Sequence, residues 1–328
     1  MGWVHRRSVA FALAVAVVPA TLVACSSGPD PSPAPRATAL PSAAEIPGGP
    51  GAASGGSPGG PPAAGPPATG SATAGPPRAG ATSAPKQAFS VQTRTFKLRR
   101  GADRPLPTTV WLPRGDGPFP MILFSHGLGG KPSDYRELIT SWARAGFVVA
   151  APAYPHTSAS AAEFNVLDVL NQPADASYVI TEVLGELGAK VDEQRVAAAG
   201  HSAGGVTTLG LLSNSRDERL RAGVVLAGRQ ILPQPFTGPE TPLLFVHGRR
   251  DQVVPYADGR AAFDAVDWPK AFLSVTDGGH VASGRSLDVI AATSTDFWRW
   301  SLYGDAAARD RLADDAAKGG LAGFTDRL

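Results

Sequence analysis

A single cysteine, Cys25, in 328 residues excludes an intrachain disulfide. An extracytoplasmic domain in this chain must therefore be held by its core alone. Net charge is also scarce: the formal value is +2, and Arg6 and Arg7 supply all of it, because no Asp or Glu precedes Cys25 and the remainder balances. A nucleic-acid partner would call for a clustered basic surface, so none is expected. No group of His, Cys, Asp and Glu has metal-ligand spacing, and neither a metal nor another cofactor is expected. No internal repeat is present. The apolar stretch at residues 9–18 is too short to make a good membrane-spanning helix.

What the first segment does contain is a targeting pattern. A basic start at Arg6 and Arg7 leads into the apolar stretch and then into small residues ahead of Cys25. Leu22-Val23-Ala24-Cys25 resembles the bacterial lipoprotein cleavage box, in which the cysteine is lipidated and becomes the new N-terminus. The other reading is an ordinary secretory signal with an incidental cysteine. The only cysteine falls where lipid processing needs it, so residues 1–24 are expected to be a signal peptide. Cys25 is expected to be a lipid anchor in the bacterial cell membrane, outside the cytoplasm. Several acyl chains on one residue anchor stably where one does not.

Residues 26–85 are Pro, Gly, Ala, Ser or Thr except for Asp30, Arg36, Leu40, Glu45, Ile46 and Arg78. Such a segment lacks the apolar surface to offset its ordering entropy and is expected to be disordered. As a flexible coil it would span roughly 45 Å. The predicted organisation is thus a lipidated cysteine and tether at residues 25–88, followed by a folded domain at residues 89–328.

Within that domain, alternating residues from Phe89 and a second run at 108–112 predict strands. The continuous apolar run Met121-Ile122-Leu123-Phe124 predicts a strand buried on both faces. Helices are expected at about 133–145, 174–187, 203–212, 257–266 and 287–302. Further strands are expected at 147–150, 195–199, 222–226, 243–246 and 271–275. This alternation implies an α/β fold with a mostly parallel sheet covered by helices on both faces. Residues 227–242 are too few and too proline-rich for a lid domain.

Gly200-His201-Ser202-Ala203-Gly204 stands between a predicted strand and a predicted helix. Gly-x-Ser-x-Gly in that setting is a strand-to-helix turn that presents a serine nucleophile. Side chains at Gly200 or Gly204 would strike neighbouring backbone, while the hydroxyl of Ser202 is pushed clear of the sheet. A serine hydroxyl needs a base, an orienting acid and an anion-stabilising pocket. Two histidines lie downstream, His247 and His280. His247 ends a strand and is expected to pack or bond to backbone; His280 follows Gly278-Gly279 in a loop after the last predicted strand and is the candidate base. Asp251, on a loop at the carboxyl end of a strand, is the candidate acid. Asp277 is the rival, read otherwise as a turn-former before two glycines.

The loop Ser125-His126-Gly127-Leu128-Gly129-Gly130 offers backbone amides for an oxyanion hole. Leu128 and Ala203 are the expected donors, with Gly129 an alternative to Leu128. A phosphate cradle ending at Lys131 is excluded, since Pro132 replaces its Ser or Thr and Ser125 its first Gly. His126 and His201 are expected to pack behind the site. Tyr154, His156 and Phe164, after the strand ending near Ala150, either wall the substrate pocket or only pack their loop.

The Ser202 turn, the His126-Gly127 loop, His247-Gly248-Arg249-Arg250-Asp251 with Val254-Pro255, and Gly279-His280 together resemble the α/β-hydrolase superfamily. The similarity, over roughly residues 89–305, is to the branch holding dienelactone-hydrolase-like enzymes, cutinase-like polyester hydrolases, chlorophyllases and platelet-activating-factor acetylhydrolases. Plasma-type acetylhydrolases take their acid one strand earlier, where this chain has Ala227-Gly228. The polyester hydrolases usually carry a C-terminal disulfide, which one cysteine cannot supply. The resemblance implies a serine esterase acting on a small-molecule, lipid or polyester ester, without a cofactor and as a monomer. Acyl transfer to a cell-envelope acceptor and a non-catalytic binding lipoprotein are the alternative readings.

Overall fold

A computed structural model describes residues 83–232 and 235–328. The predicted signal peptide, Cys25 and nearly all of the predicted tether lie outside the described residues. Packing begins a few residues ahead of the boundary expected at Phe89. Arg299 donates to the Pro85 carbonyl at 2.8 Å, the Phe89 amide donates to the Arg144 carbonyl at 2.8 Å, and Phe89 meets Phe119 edge-on.

The strands are β1 (Val91–Arg100), β2 (Arg104–Pro113), β3 (Phe119–Ser125), β4 (Val148–Pro152), β5 (Val191–His201), β6 (Leu220–Leu226), β7 (Leu243–Gly248), β8 (Lys270–Val275) and β9 (Ala322–Arg327). They form one sheet in the order β1-β2-β4-β3-β5-β6-β7-β8-β9. From β4 to β8 every neighbouring pair is parallel, while β1, β2 and β9 pair antiparallel at the two ends. The helices are α1 (Arg136–Arg144), α2 (Gln172–Leu187), α3 (Ala203–Leu212), α4 (Tyr256–Asp264), α5 (Arg285–Tyr303) and α6 (Ala306–Ala317).

Strand alternation divides the interior into two cores. Met121 and Leu123 of β3 face α2, α3 and α4, whose Val179, Ile180, Leu209 and Phe263 are buried there. Ile122 and Phe124 face α1, α5 and α6, where Trp142, Phe297, Trp298 and Leu312 close the other side. Trp142 crosses Trp298 edge-on at 5.8 Å and donates its ring N–H to Ser294, which fixes α1 against α5. The central strands are buried on both faces, as a parallel sheet between two helix layers requires.

Two elements were not anticipated from the sequence. α6 buries only Ala308, Leu312, Asp315 and Ala316, so its apolar stripe is narrow, and Asp305 caps it by accepting from the Ala308 amide. β9 is a half-exposed edge strand with weak alternation. Between β6 and β7 no helix occurs among the described residues.

Candidate active site

The parallel strands end along one edge, and the loops that follow β3, β6 and β8, with the end of β7 and the β5–α3 turn, line a cavity of about 580 Å³. Gly127, Leu128, Ser202, Ala227, His247 and His280 are all in its wall. β5 runs directly into α3, and the turn between them is forced on Ser202. Its backbone sits at φ 57° and ψ −117°, a left-handed conformation that L-residues adopt only when their surroundings impose it. A Cβ on Gly200 would stand 2.1 Å from the Gly204 carbonyl oxygen, and one on Gly204 would stand 2.0 Å from that of Ser125. Only glycine fits at either place. The Ser202 side chain is half-exposed and makes no hydrogen bond among the described residues.

The loops after β7 and β8 are drawn together by backbone. Arg249 donates to the Val275 carbonyl and Arg250 to that of Gly278, each at 2.9 Å. A Cβ on Gly248 would lie 2.3 Å from the Gly278 oxygen, so the approach depends on glycine there. The result is that His280 Nδ1 meets Asp251 Oδ2 at 2.8 Å. The other Asp251 oxygen accepts from the amides of Val253 and Val254 at 2.8 and 2.9 Å. Burial alone would lift the Asp251 pKa, yet the bonds from His280 and the two amides hold it below the ordinary carboxylate value. Asp251 is therefore an ionised acceptor, which fixes the His280 proton on Nδ1 and leaves Nε2 with a free lone pair. Asp277 instead pairs with Arg250 at 2.7 Å on the surface.

The remaining histidines of these motifs brace backbone. His247 Nε2 donates to the Val254 carbonyl at 2.9 Å, with Asp251 Oδ2 at 3.2 Å, and so holds the acid loop. His126 Nδ1 donates to the Gly127 carbonyl and its Nε2 accepts from the Tyr154 amide, at 2.8 and 3.1 Å. Burial lowers the His126 pKa, in keeping with a neutral ring. His201 bonds to the His280 carbonyl and to the Tyr135 hydroxyl, which also accepts from the Gly127 amide. Tyr135 is a contributor that sequence pattern does not reveal, because no local motif marks it.

In the loop after β3 the Gly129 amide is already spent on the Thr157 carbonyl at 2.7 Å. The amides of Leu128 and Ala203 meet no acceptor among the described residues. Of the residues expected to wall the pocket, Tyr154 is corrected: it is fully buried and its hydroxyl bonds to Ser125 Oγ at 2.7 Å, so it supports the loop from below. His156 bonds weakly to the Glu163 carbonyl, Phe164 is 56% exposed, and neither lines the cavity. The wall is formed instead by Leu138 of α1, by Val281 and Ala282 after β8, and by Leu287 and Ile290 of α5. At the position after β6, where plasma-type acetylhydrolases carry their acid, Ala227 turns with φ 47° and Gly228 packs directly on Gly205 of α3.

A mostly parallel sheet between two helix layers, with a strained serine turn at its carboxyl edge, is an α/β-hydrolase-type fold, and the similarities that follow support the α/β-hydrolase superfamily. The family model described as Chlorophyllase matches residues 83–227, which takes in Leu128, Ser202 and Ala203 and stops short of Asp251 and His280. The chain is also similar to a Bacillus subtilis (strain 168) protein named "Putative esterase YitV", 26% identical over 191 residues, covering 45% of this chain and 74% of that protein.

Proposed function

We propose that the protein is a secreted serine esterase, held at a bacterial membrane through lipid on Cys25. The observation that carries the catalytic reading is the 2.8 Å bond to a buried, ionised Asp251 from His280, which shares the wall of one cavity with Ser202. The similarity to a protein named as an esterase supports ester chemistry. In this reading Ser202 Oγ attacks the ester carbonyl carbon while His280 Nε2 takes its proton. The charge that develops on the carbonyl oxygen is received by the unspent amides of Leu128 and Ala203. The tetrahedral species collapses, the alcohol leaves with the proton from His280, and an acyl-Ser202 ester remains. Water, deprotonated by His280, then releases the acid and restores the hydroxyl. Asp251 keeps His280 in the tautomer that both steps need.

A fluorophosphonate should label the protein on Ser202 and leave Ser202→Ala unlabelled; a folded protein that resists the probe would overturn the reading. Hydrolysis of short p-nitrophenyl esters should vanish in Ser202→Ala and His280→Ala. For the anchor, Cys25→Ser should release the protein from the membrane fraction, and continued membrane association would refute lipidation at that residue.

A further inference from the structure

On the catalytic reading above, we infer that Tyr135 and His201 are positioning residues, forming a hydrogen-bond relay that holds the oxyanion loop and the base loop in register across Ser202. Three bonds make up the relay. The Gly127 amide donates to Tyr135 Oη at 2.9 Å, Tyr135 Oη and His201 Nδ1 are 2.8 Å apart, and His201 Nε2 meets the His280 carbonyl at 2.7 Å.

The chemistry of the partners gives the chain one direction. A carbonyl oxygen can only accept, so His201 Nε2 carries a proton. The ring is buried, with His280 and His247 also nearby, and its pKa is pushed down to about 4 against the opposing pull of the His280 carbonyl and Asp251. It is neutral at ordinary pH, and Nδ1 therefore accepts the Tyr135 hydroxyl proton. With that proton spent, the Tyr135 oxygen accepts from Gly127. Every proton in the relay has its acceptor, which fixes the direction of all three bonds.

Its ends matter more than its middle. Gly127 immediately precedes Leu128, whose amide is a proposed oxyanion donor, and the far end is the backbone carbonyl of the proposed base itself. His201, in the middle, is the residue before Ser202. One chain of three bonds therefore ties together nucleophile, base and oxyanion loop, although they come from three different strands. Packing leaves little slack: a Cβ on Gly127 would stand 3.0 Å from Tyr135 Oη, 3.1 Å from His201 Nδ1 and 3.3 Å from Ser202 Cβ. Tyr135 is itself fixed against Phe124 at 4.7 Å between ring centroids, and His201 against His280 at the same separation.

The test is a set of variants in the full-length protein. Tyr135→Phe keeps the ring and removes only the oxygen. Its kcat on a short p-nitrophenyl ester should fall about ten- to a hundredfold with KM within about twofold, as for an oxyanion donor or base displaced by a fraction of an ångström. His201→Gln retains an amide that can reach the His280 carbonyl and should recover part of the activity lost in His201→Ala. Tyr135→Phe combined with His201→Ala should fall no further than His201→Ala alone.

Amide hydrogen exchange supplies a readout independent of turnover. Tyr135→Phe should speed exchange both at residue 127 and in residues 277–284, whose hydrogen-bond link to Tyr135 runs through His201. An unchanged kcat in folded Tyr135→Phe, losses that multiply in the double variant, or faster exchange confined to the Gly127 side would overturn the relay. If Tyr135→Phe fails to fold, the His201→Gln recovery and its exchange at residues 277–284 decide the matter. If the unsubstituted protein resists the fluorophosphonate while exchange still spreads to residues 277–284, the esterase reading falls and the relay stands.

Discussion

Two carboxylates with fully buried side chains, Asp175 and Asp251, are held by partners of opposite character. Asp175 is gripped by two guanidinium groups: Arg104 bonds it at 2.5 and 2.8 Å, and Arg100 at 2.7 Å. Arg104 also forks onto Asp168 at 2.8 and 2.9 Å, tying β2 to a 3₁₀ turn at Val166–Leu170 and to the start of α2. Asp251 is held by an imidazole and two amides. The Asp175 bonds raise the Arg104 pKa still further despite burial, so no proton can move in that cluster. An imidazole partner presents one ring nitrogen that donates to the carboxylate and a second that can accept a proton. Burial and ion pairing alone do not mark a carboxylate as catalytic. On the proposed reading the chemistry of the partner does.

Substitution at the two sites should therefore fail in different ways. Asp251→Asn is expected to lower kcat by about 10⁴-fold with a small change in stability, because an amide can no longer fix the His280 tautomer. Asp277→Asn should stay within a few-fold, and steady-state hydrolysis of a p-nitrophenyl ester distinguishes the two. Arg104→Met should do the reverse. Leaving Asp168 and Asp175 buried without their shared cation should cost about 3–5 kcal/mol in urea unfolding, while kcat per folded molecule stays within about twofold.

Acid separates the regions by window. His201 binds a proton at about 4 in the fold against 6.5 as its ordinary value, so across that interval the unfolded chain holds more protons. Stability should fall as pH drops from about 6.5 to about 4, and His201→Gln should flatten that part of the profile. Asp168, whose pairing with Arg104 outweighs burial and depresses its pKa, acts with the same sign in a lower window. Its contribution is complete above the unfolded carboxylate value and is lost only as pH falls through the lower folded value, so Asp168→Asn should flatten the curve below about pH 4. The smallest effect is expected at the exposed Arg250–Asp277 pair, where Arg250→Ala should change stability by less than about 1 kcal/mol and leave kcat nearly unchanged.

Local glycine patterns made much of the site legible in the chain. Gly200, Gly204 and Gly248 report close backbone approaches that no other residue fits, and each flanks a chemical residue. The parallel core was legible for a similar reason, since an uninterrupted apolar run as short as residues 121–124 suits a strand covered on both faces. Tyr135 was not legible. Its partner His201 is 66 residues away, and nothing near it in sequence distinguishes it from any other tyrosine on an amphipathic helix start. Tyr154, His156 and Phe164 share a loop on the catalytic edge, but pattern cannot say which way a side chain turns. Burial sent Tyr154 under Ser125, and the cavity opened on the α1–α5 side instead. α6 and β9 escaped notice because alanine and charged residues bury too little to leave a strong period.

The backbone of Ser202 carries a consequence for how the protein wears out. A residue held at φ 57° stays there only while β5, α3 and the loop after β3 press on it from three sides. Any of those contacts can slacken long before the nine-stranded sheet melts. Once they do, the serine drops into an ordinary conformation and its hydroxyl is aimed elsewhere. On slow heating, labelling of Ser202 should decline several degrees before the far-ultraviolet circular dichroism changes, so that reactivity acts as the molecule's early thermometer.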